Sequence, residues 1–283
     1  MRDPERTLPV ITESLRDLLN VALAVQWRPL EFRVDDHFGW MLFVFFAKQA
    51  EHARGILALA EKGLYRDAGL IVRSMMEGFV QLLWACADPM VRARAWKEFT
   101  YVSSWRKMLK HEQAGRGVAP EVRARIEELL RTHGQQFLTE KGRRRLRNGK
   151  ALCRKDYSEN WTGRSYAELF REVEGAGEAK EPILHLCAYS ELSDWQHWSP
   201  EIMGQAVPID SESGGATYLE PSAMSGALAV ANAFQALFQT LEHLDAHFRL
   251  NLSQRLDELR GAYVAHLDGI AANGPASRSA WEH

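Results

Sequence analysis

The sequence predicts an all-α fold, a single bundle of eight or nine helices, and three observations predict it. Apolar residues recur at helical spacing over long segments. Alternating β-branched runs closed by Asn-Gly turns are missing. The punctuation is that of helices: Asp-Pro at 88–89, Pro120, and glycines at 63, 175 and 177. With 283 residues, 46% of them hydrophobic, the chain has enough apolar surface for each helix to bury a face on its neighbours.

Taken in order, the first helix is expected from about Leu8 to Val25. A second follows Asp35-Asp36 and runs to about Lys62, with Gly63 as its stop, and a third covers about Tyr65 to Ala87. Asp88 then reads as N-cap and Pro89 as first helical residue of a helix to about Ala114. Pro120 opens another, expected to reach Lys141. The pattern breaks from 142 to 163, which reads as a basic loop. A short helix follows, opened by a capping box from Ser165 to Glu168 and ended by Gly175 and Gly177. A further helix is expected from Glu181 to Trp198, then a Gly/Ser/Pro loop over 199–221. Helices from Ser222 to Leu250 and from Ser253 to Ala271 complete one domain over 1–271, and 272–283 reads as a disordered tail.

Composition excludes several classes. The net charge of −2 gives no global field for nucleic acid or membrane, so polyanion binding needs a local patch. Three cysteines, Cys86, Cys153 and Cys187, without a CxxC pair, fit neither a disulfide scaffold nor a thiolate zinc site. The N-terminus lacks the apolar segment of a signal peptide. The most apolar run, 38-FGWMLFVFFA-47, is ten residues long, against about 20 for a membrane span. It reads as a core helix of a cytoplasmic protein.

Candidate function begins on the third helix. In 70-LIVRSMMEGFVQLLW-84, Ile71, Val72, Met75, Met76, Phe79, Val80, Leu82 and Leu83 share one arc. Arg73, Ser74, Glu77, Gly78 and Gln81 share the other side. Arg73 and Glu77 are helical neighbours, and Trp84 on their stripe implies that this side is partly covered. The pair reads either as an intrahelical ion pair or as the lining of a polar pocket. In 189-YSELSDWQHWSP-200, Tyr189, Ser193 and His197 recur every four residues and wind slowly from core to edge. Each has an ordinary role open to it: a core tyrosine, a serine bonded to a backbone carbonyl, a histidine at a helix C-terminus.

Together, 73-RSMME-77, 161-WTGRS-165 and the Tyr-x3-Ser-x3-His of Tyr189, Ser193 and His197 resemble the bacterial helical family catalogued as domain of unknown function 5677, over roughly residues 35 to 200. The resemblance implies a shared role for Arg73, Glu77, Trp161, Ser165, Tyr189, Ser193 and His197. That family is loosely similar to the HEPN class of helical bundles, many of which are metal-independent ribonucleases in toxin and anti-phage systems. This sequence departs from that class: no arginine stands four to seven residues before His197. Arg106–His111, Arg260–His266 and Arg278–His283 have the spacing about as often as chance gives it. A nuclease would need Arg73 to supply the charge from another helix.

The run 141-KGRRRLRNGKALCRK-155 holds eight Lys or Arg and no Asp or Glu. Arg143, Arg144, Arg145, Arg147, Lys150, Arg154 and Lys155 are therefore the candidate contacts to RNA or another phosphate-bearing ligand; an acidic protein partner is the other reading. His243 and His247 stand four apart, but no Glu-x-x-His accompanies them, so no metal and no cofactor is expected. The leading expectation is an RNA-directed, HEPN-like protein in defence or stress response. As a ribonuclease it would use His197 as general base or acid, Arg73 for the phosphate charge, Glu77 to orient Arg73, and Tyr189 and Ser193 to position the scissile group. Trp161, Ser165 and Trp84 would support the site. The alternative is a non-enzymatic interaction or ligand-sensing bundle in which the same residues form a structural network. A second copy or another protein is a further expected partner.

Overall fold

Three helices of this chain begin where a side chain catches one of the free N–H groups of the first turn. Asp36 accepts from Gly39 N at 2.7 Å, Thr139 from Gly142 N at 3.1 Å, and Ser165 from Glu168 N at 3.3 Å. The computed structural model describes residues 4–175, 207, 216, 219 and 222–273. Within them run α1 (Pro4–Gln26), α2 (His37–Ala60), α3 (Tyr65–Cys86), α4 (Pro89–Gln113), α5 (Pro120–His133), α6 (Glu140–Arg147), α7 (Tyr166–Val173), α8 (Ala223–Phe248) and α9 (Ser253–Asn273). Among the described residues there is no sheet; Leu138 and Tyr157 form an isolated antiparallel bridge. The all-α expectation holds.

The body of the molecule is α1, α2, α3 and α8 packed on one another, with α9 against α1, α4 against α2 and α7 against α3. Its core is sealed: Leu15, Met41, Leu42, Phe46, Val72, Met75 and Leu82 have no exposed surface. The apolar arc read from α3 is the face that is buried, with Ile71 and Leu83 at its margin. Burying a side chain of Leu or Phe size stabilises by about 1.5–3 kcal/mol, so this body carries most of the fold. Small residues let the helices close up. At Gly226 on α8 a Cβ would lie 2.4 Å from the Tyr65 ring.

A second, smaller cluster lies beside it. Val102, Trp105 and Met108 of α4 pack with Leu130 of α5 and with Phe137, Leu138 and Tyr157. Two expectations are corrected here. The helix opened by Pro120 stops at His133 rather than Lys141. The chain tightens at Gly134, where a Cβ would meet Leu130 O at 2.5 Å, and turns Phe137 inward, edge-on to Phe99 at 5.1 Å. The expected loop over 142–163 takes in most of α6, which Thr139 caps and whose first turn holds the acidic Glu140, followed by the turn 148–165. Gly142 is needed inside it because a Cβ there would lie 2.2 Å from Asp156 O.

The capping box of α7 and the left-handed Gly63 and Gly175 that stop α2 and α7 stand as expected. The last helix extends two residues beyond its expected end, into the segment read as tail. The helix expected over 181–198, the loop over 199–221 except positions 207, 216 and 219, and 274–283 lie outside the described residues.

Candidate functional site

The polar stripe of α3 is the first candidate region. Arg73 is a buried arginine, 9% exposed, and its guanidinium lies 3.4 Å from the Glu77 carboxylate one turn on. A buried guanidinium keeps its charge and needs acceptors, so Arg73 is tied into its surroundings rather than held out to solvent. An opening of about 320 Å³ is lined by Leu70, Arg73, Ser74 and Glu77. Ser74 also meets His52 of α2, Oγ to Nε2 3.3 Å. Burial, and next the charge of Lys48, lowers the His52 pKa, with Glu51 opposing.

One turn further along α3, the stripe becomes a polar knot. Gln81 donates to Glu77 O at 3.0 Å and to the Tyr166 hydroxyl at 3.1 Å, and accepts from the Trp161 indole. Trp161 lies edge-on to Trp84 at 5.2 Å. The Trp84 indole donates to Glu172 at 2.9 Å, and the Arg92 guanidinium lies over the Trp84 ring at 4.0 Å while reaching Glu172 at 3.5 Å. Arg164 closes on Glu172 from the other side. The knot joins α3, α4, the turn 161–165 and α7. Trp84, Trp161 and Ser165 therefore have architectural roles: two buried rings and the N-cap of α7. Sequence reasoning missed Gln81, Arg92, Arg164 and Glu172, which are spread over three helices and a turn. A signal was available in Gln81, a polar residue on the same stripe as Trp84.

The structure thus brings Arg73 and Glu77 together and, on the same side of α3, Trp84 and Trp161. Tyr189, Ser193 and His197 lie outside the described residues.

The basic segment is the second region, and it divides in two. Arg143 donates to Leu138 O at 2.6 Å and lies near Glu140, and Arg147 also reaches Glu140. Arg145 donates to Ala151 O at 2.8 Å and lies 3.3 Å from Asp156. These three hold the segment's own shape. Lys141, Arg144, Lys150, Arg154 and Lys155 are exposed, and none forms an ion pair with a carboxylate of the described residues. Asp156 is fully buried beneath them. Burial pushes its pKa up, but the Cys153 N–H and side chain and the Arg145 and Lys141 charges outweigh this and hold it below the usual value. A second anchor is Arg106 of α4, which donates to the carbonyls of Arg154, Tyr157, Ser158 and Glu159 at 2.8–3.3 Å.

His247 Nε2 lies 2.8 Å from Asp36, pinning the end of α8 to the N-cap of α2, and no group of three metal-ligating side chains occurs among the described residues. No helix among them is long and apolar enough to cross a membrane.

The model of the Family of unknown function (DUF5677) matches residues 39–215. The chain belongs to the DUF5677 family. The match spans α2 to α7, and so takes in the Arg73 stripe, the polar knot and the whole basic segment, while α8 and α9 follow it. Neither a curated protein nor a solved structure matches the DUF5677 chain.

Proposed function

We propose that the protein acts in the cytoplasm as an RNA-directed helical module, binding RNA through the face formed by α6 and the turn after it. One observation carries this reading: five cations within fifteen residues, Lys141, Arg144, Lys150, Arg154 and Lys155, are exposed without a carboxylate of the described residues in ion-pair contact. In a chain of net charge −2 such an excess has to be held in place against self-repulsion. Here Asp156 and Arg106 hold it. Phosphates supply the missing countercharge, and the counterions they release drive binding.

Cleavage is the second reading, favoured by the opening at Arg73, Ser74 and Glu77. Arg73 would meet phosphate charge there, oriented by Glu77, with Tyr189, Ser193 and His197 acting as the resemblance implies. The setting in defence or stress response stands on that resemblance alone.

The test is fluorescence-polarisation titration of labelled RNA, with a parallel cleavage assay on total RNA in EDTA. The expected result is binding that weakens at least tenfold in Arg144→Glu/Lys150→Glu. Metal-free cleavage lost in both Arg73→Ala and His197→Ala, each checked for folding, supports the second reading. Absence of RNA binding by the wild type contradicts the proposal.

A further inference from the structure

Behind the basic face lies a cleft that its charges alone do not explain. It has a volume of about 1270 Å³ and opens between the C-terminal half of α4, the start of α5 and the turn 151–159. Trp105 and Tyr157, edge-on at 5.3 Å, form its buried floor. Leu109 and Leu152 give it apolar wall, and Gln113 and Ser158 give it hydrogen-bonding groups. Arg106, Arg154 and Lys155 stand along one side.

The electrostatics of that side are unusual. Arg106 spends its donors on four backbone carbonyls and makes no ion pair with a described carboxylate. Burial, and then the charge of Arg154, pulls its pKa below the ordinary value, with Glu159 opposing only in part. A third arginine of the cleft, Arg123, is matched by Glu112 and Glu127. Along that side Arg106, Arg154 and Lys155 thus outnumber Glu159, since Asp156 is buried against Arg145, beside a cavity with apolar and hydrogen-bonding walls. A ligand that fits must be anionic at one end and flat, partly apolar and hydrogen-bonding at the other. A nucleotide has this form. A duplex keeps its bases stacked and paired, and presents mainly backbone and groove surface. It can lie on the outer face of α6 but cannot send a base into the cleft.

We infer that the cleft between α4, α5 and the 151–159 turn holds an unpaired nucleotide of the bound strand, which makes single-stranded RNA the substrate class. This rests on the RNA-binding reading and sharpens it. A phosphate would sit at Arg154 and Lys155, with the base against the Leu109 and Leu152 wall.

The experiment titrates the full chain with a labelled twelve-nucleotide single strand and with the same strand annealed to its complement, each competed with uridine monophosphate. The single strand is expected to bind at least tenfold tighter than the duplex. Leu109→Trp, which sets an indole where the base would lie, and Gln113→Glu, an exposed position that places a negative charge in the cleft, should each erase that preference while leaving duplex affinity within about twofold. Thermal melting confirms that both variants fold, and the exposed Gln113 keeps the test intact should Leu109→Trp fail to do so. Equal binding of both RNAs, or a preference unchanged in Gln113→Glu, overturns the cleft and leaves the RNA reading standing. Binding of neither RNA overturns both, as does binding of the mononucleotide without either RNA.

Discussion

The body around α3 and the arm around α6 are built by opposite means. In the body, long helices remove whole apolar faces from water, and polar residues enter only as tied groups such as Arg73 and Gln81. In the arm, a small cluster is supplemented by charged groups that bind backbone: Arg106 on four carbonyls, Arg145 on Ala151 O, and Asp156 on the Cys153 N–H. Apolar burial is insensitive to salt and pH, whereas charge-based anchoring depends on both. The comparison teaches that stability and surface charge are divided between two regions, so an exposed basic face can be altered without loosening the body.

The largest effect should follow from breaking the body. Phe79, 1% exposed at the centre of α3, should cost about 3–5 kcal/mol on replacement by Ala, read as a lower urea midpoint over the whole protein. A loss confined to the arm would contradict the division.

Next comes the seam. Arg73→Met leaves Glu77 partly buried without its charge partner, a loss on the order of 2 kcal/mol, below that of a fully buried pair because Glu77 is partly open to solvent. Urea unfolding measures it, and an unchanged midpoint would mean that Arg73 contributes nothing to packing and is held for chemistry alone.

The arm should respond to acid before the body does. The Asp156 pKa is held below its ordinary 3.8, so its contribution is complete above about that value and is lost as pH falls through the lower folded one. Amide exchange over 139–157 should therefore rise below about pH 4, and in Asp156→Asn it should already be raised at pH 7, with exchange in α3 unchanged. Equal protection of arm and body across that range would contradict the account.

The smallest effect is chemical. Each region holds one described cysteine: Cys153 is exposed on the arm, while burial pushes the Cys86 thiol up to about 11. Alkylation at pH 7.5 read by peptide mass spectrometry should modify Cys153 well before Cys86. The reverse order would place the arm inside and the body out.

What the sequence allowed one to read follows the same line. Periodicity along α3 and the caps at Asp36 and Ser165 are local, and the body built on them was legible. The arm was not. Its Arg-rich helix contains Gly142, where the helical pattern reads as broken, yet Gly142 is there for the close approach of Asp156 O. Arg106 was invisible because its acceptors are backbone carbonyls some fifty residues away, a partnership that leaves no pattern in side-chain types. In the candidate site, Arg73 and Glu77 were legible as an adjacent pair, but that the arginine is buried depends on covering elements that helix spacing cannot supply. Nor does spacing show that Arg143, Arg145 and Arg147 also reach groups of their own segment.

The remaining exposed cations are proposed as a phosphate-binding face. The most direct measurement is the salt dependence of RNA affinity in the wild type and in Arg144→Glu/Lys150→Glu/Lys155→Glu. Five exposed cations on a single strand predict that log K falls against log salt with a slope of roughly −3, and that the triple variant flattens it to about −1 with the melting temperature unchanged. A wild-type affinity indifferent to salt, or a slope the variant leaves as it was, would contradict the account.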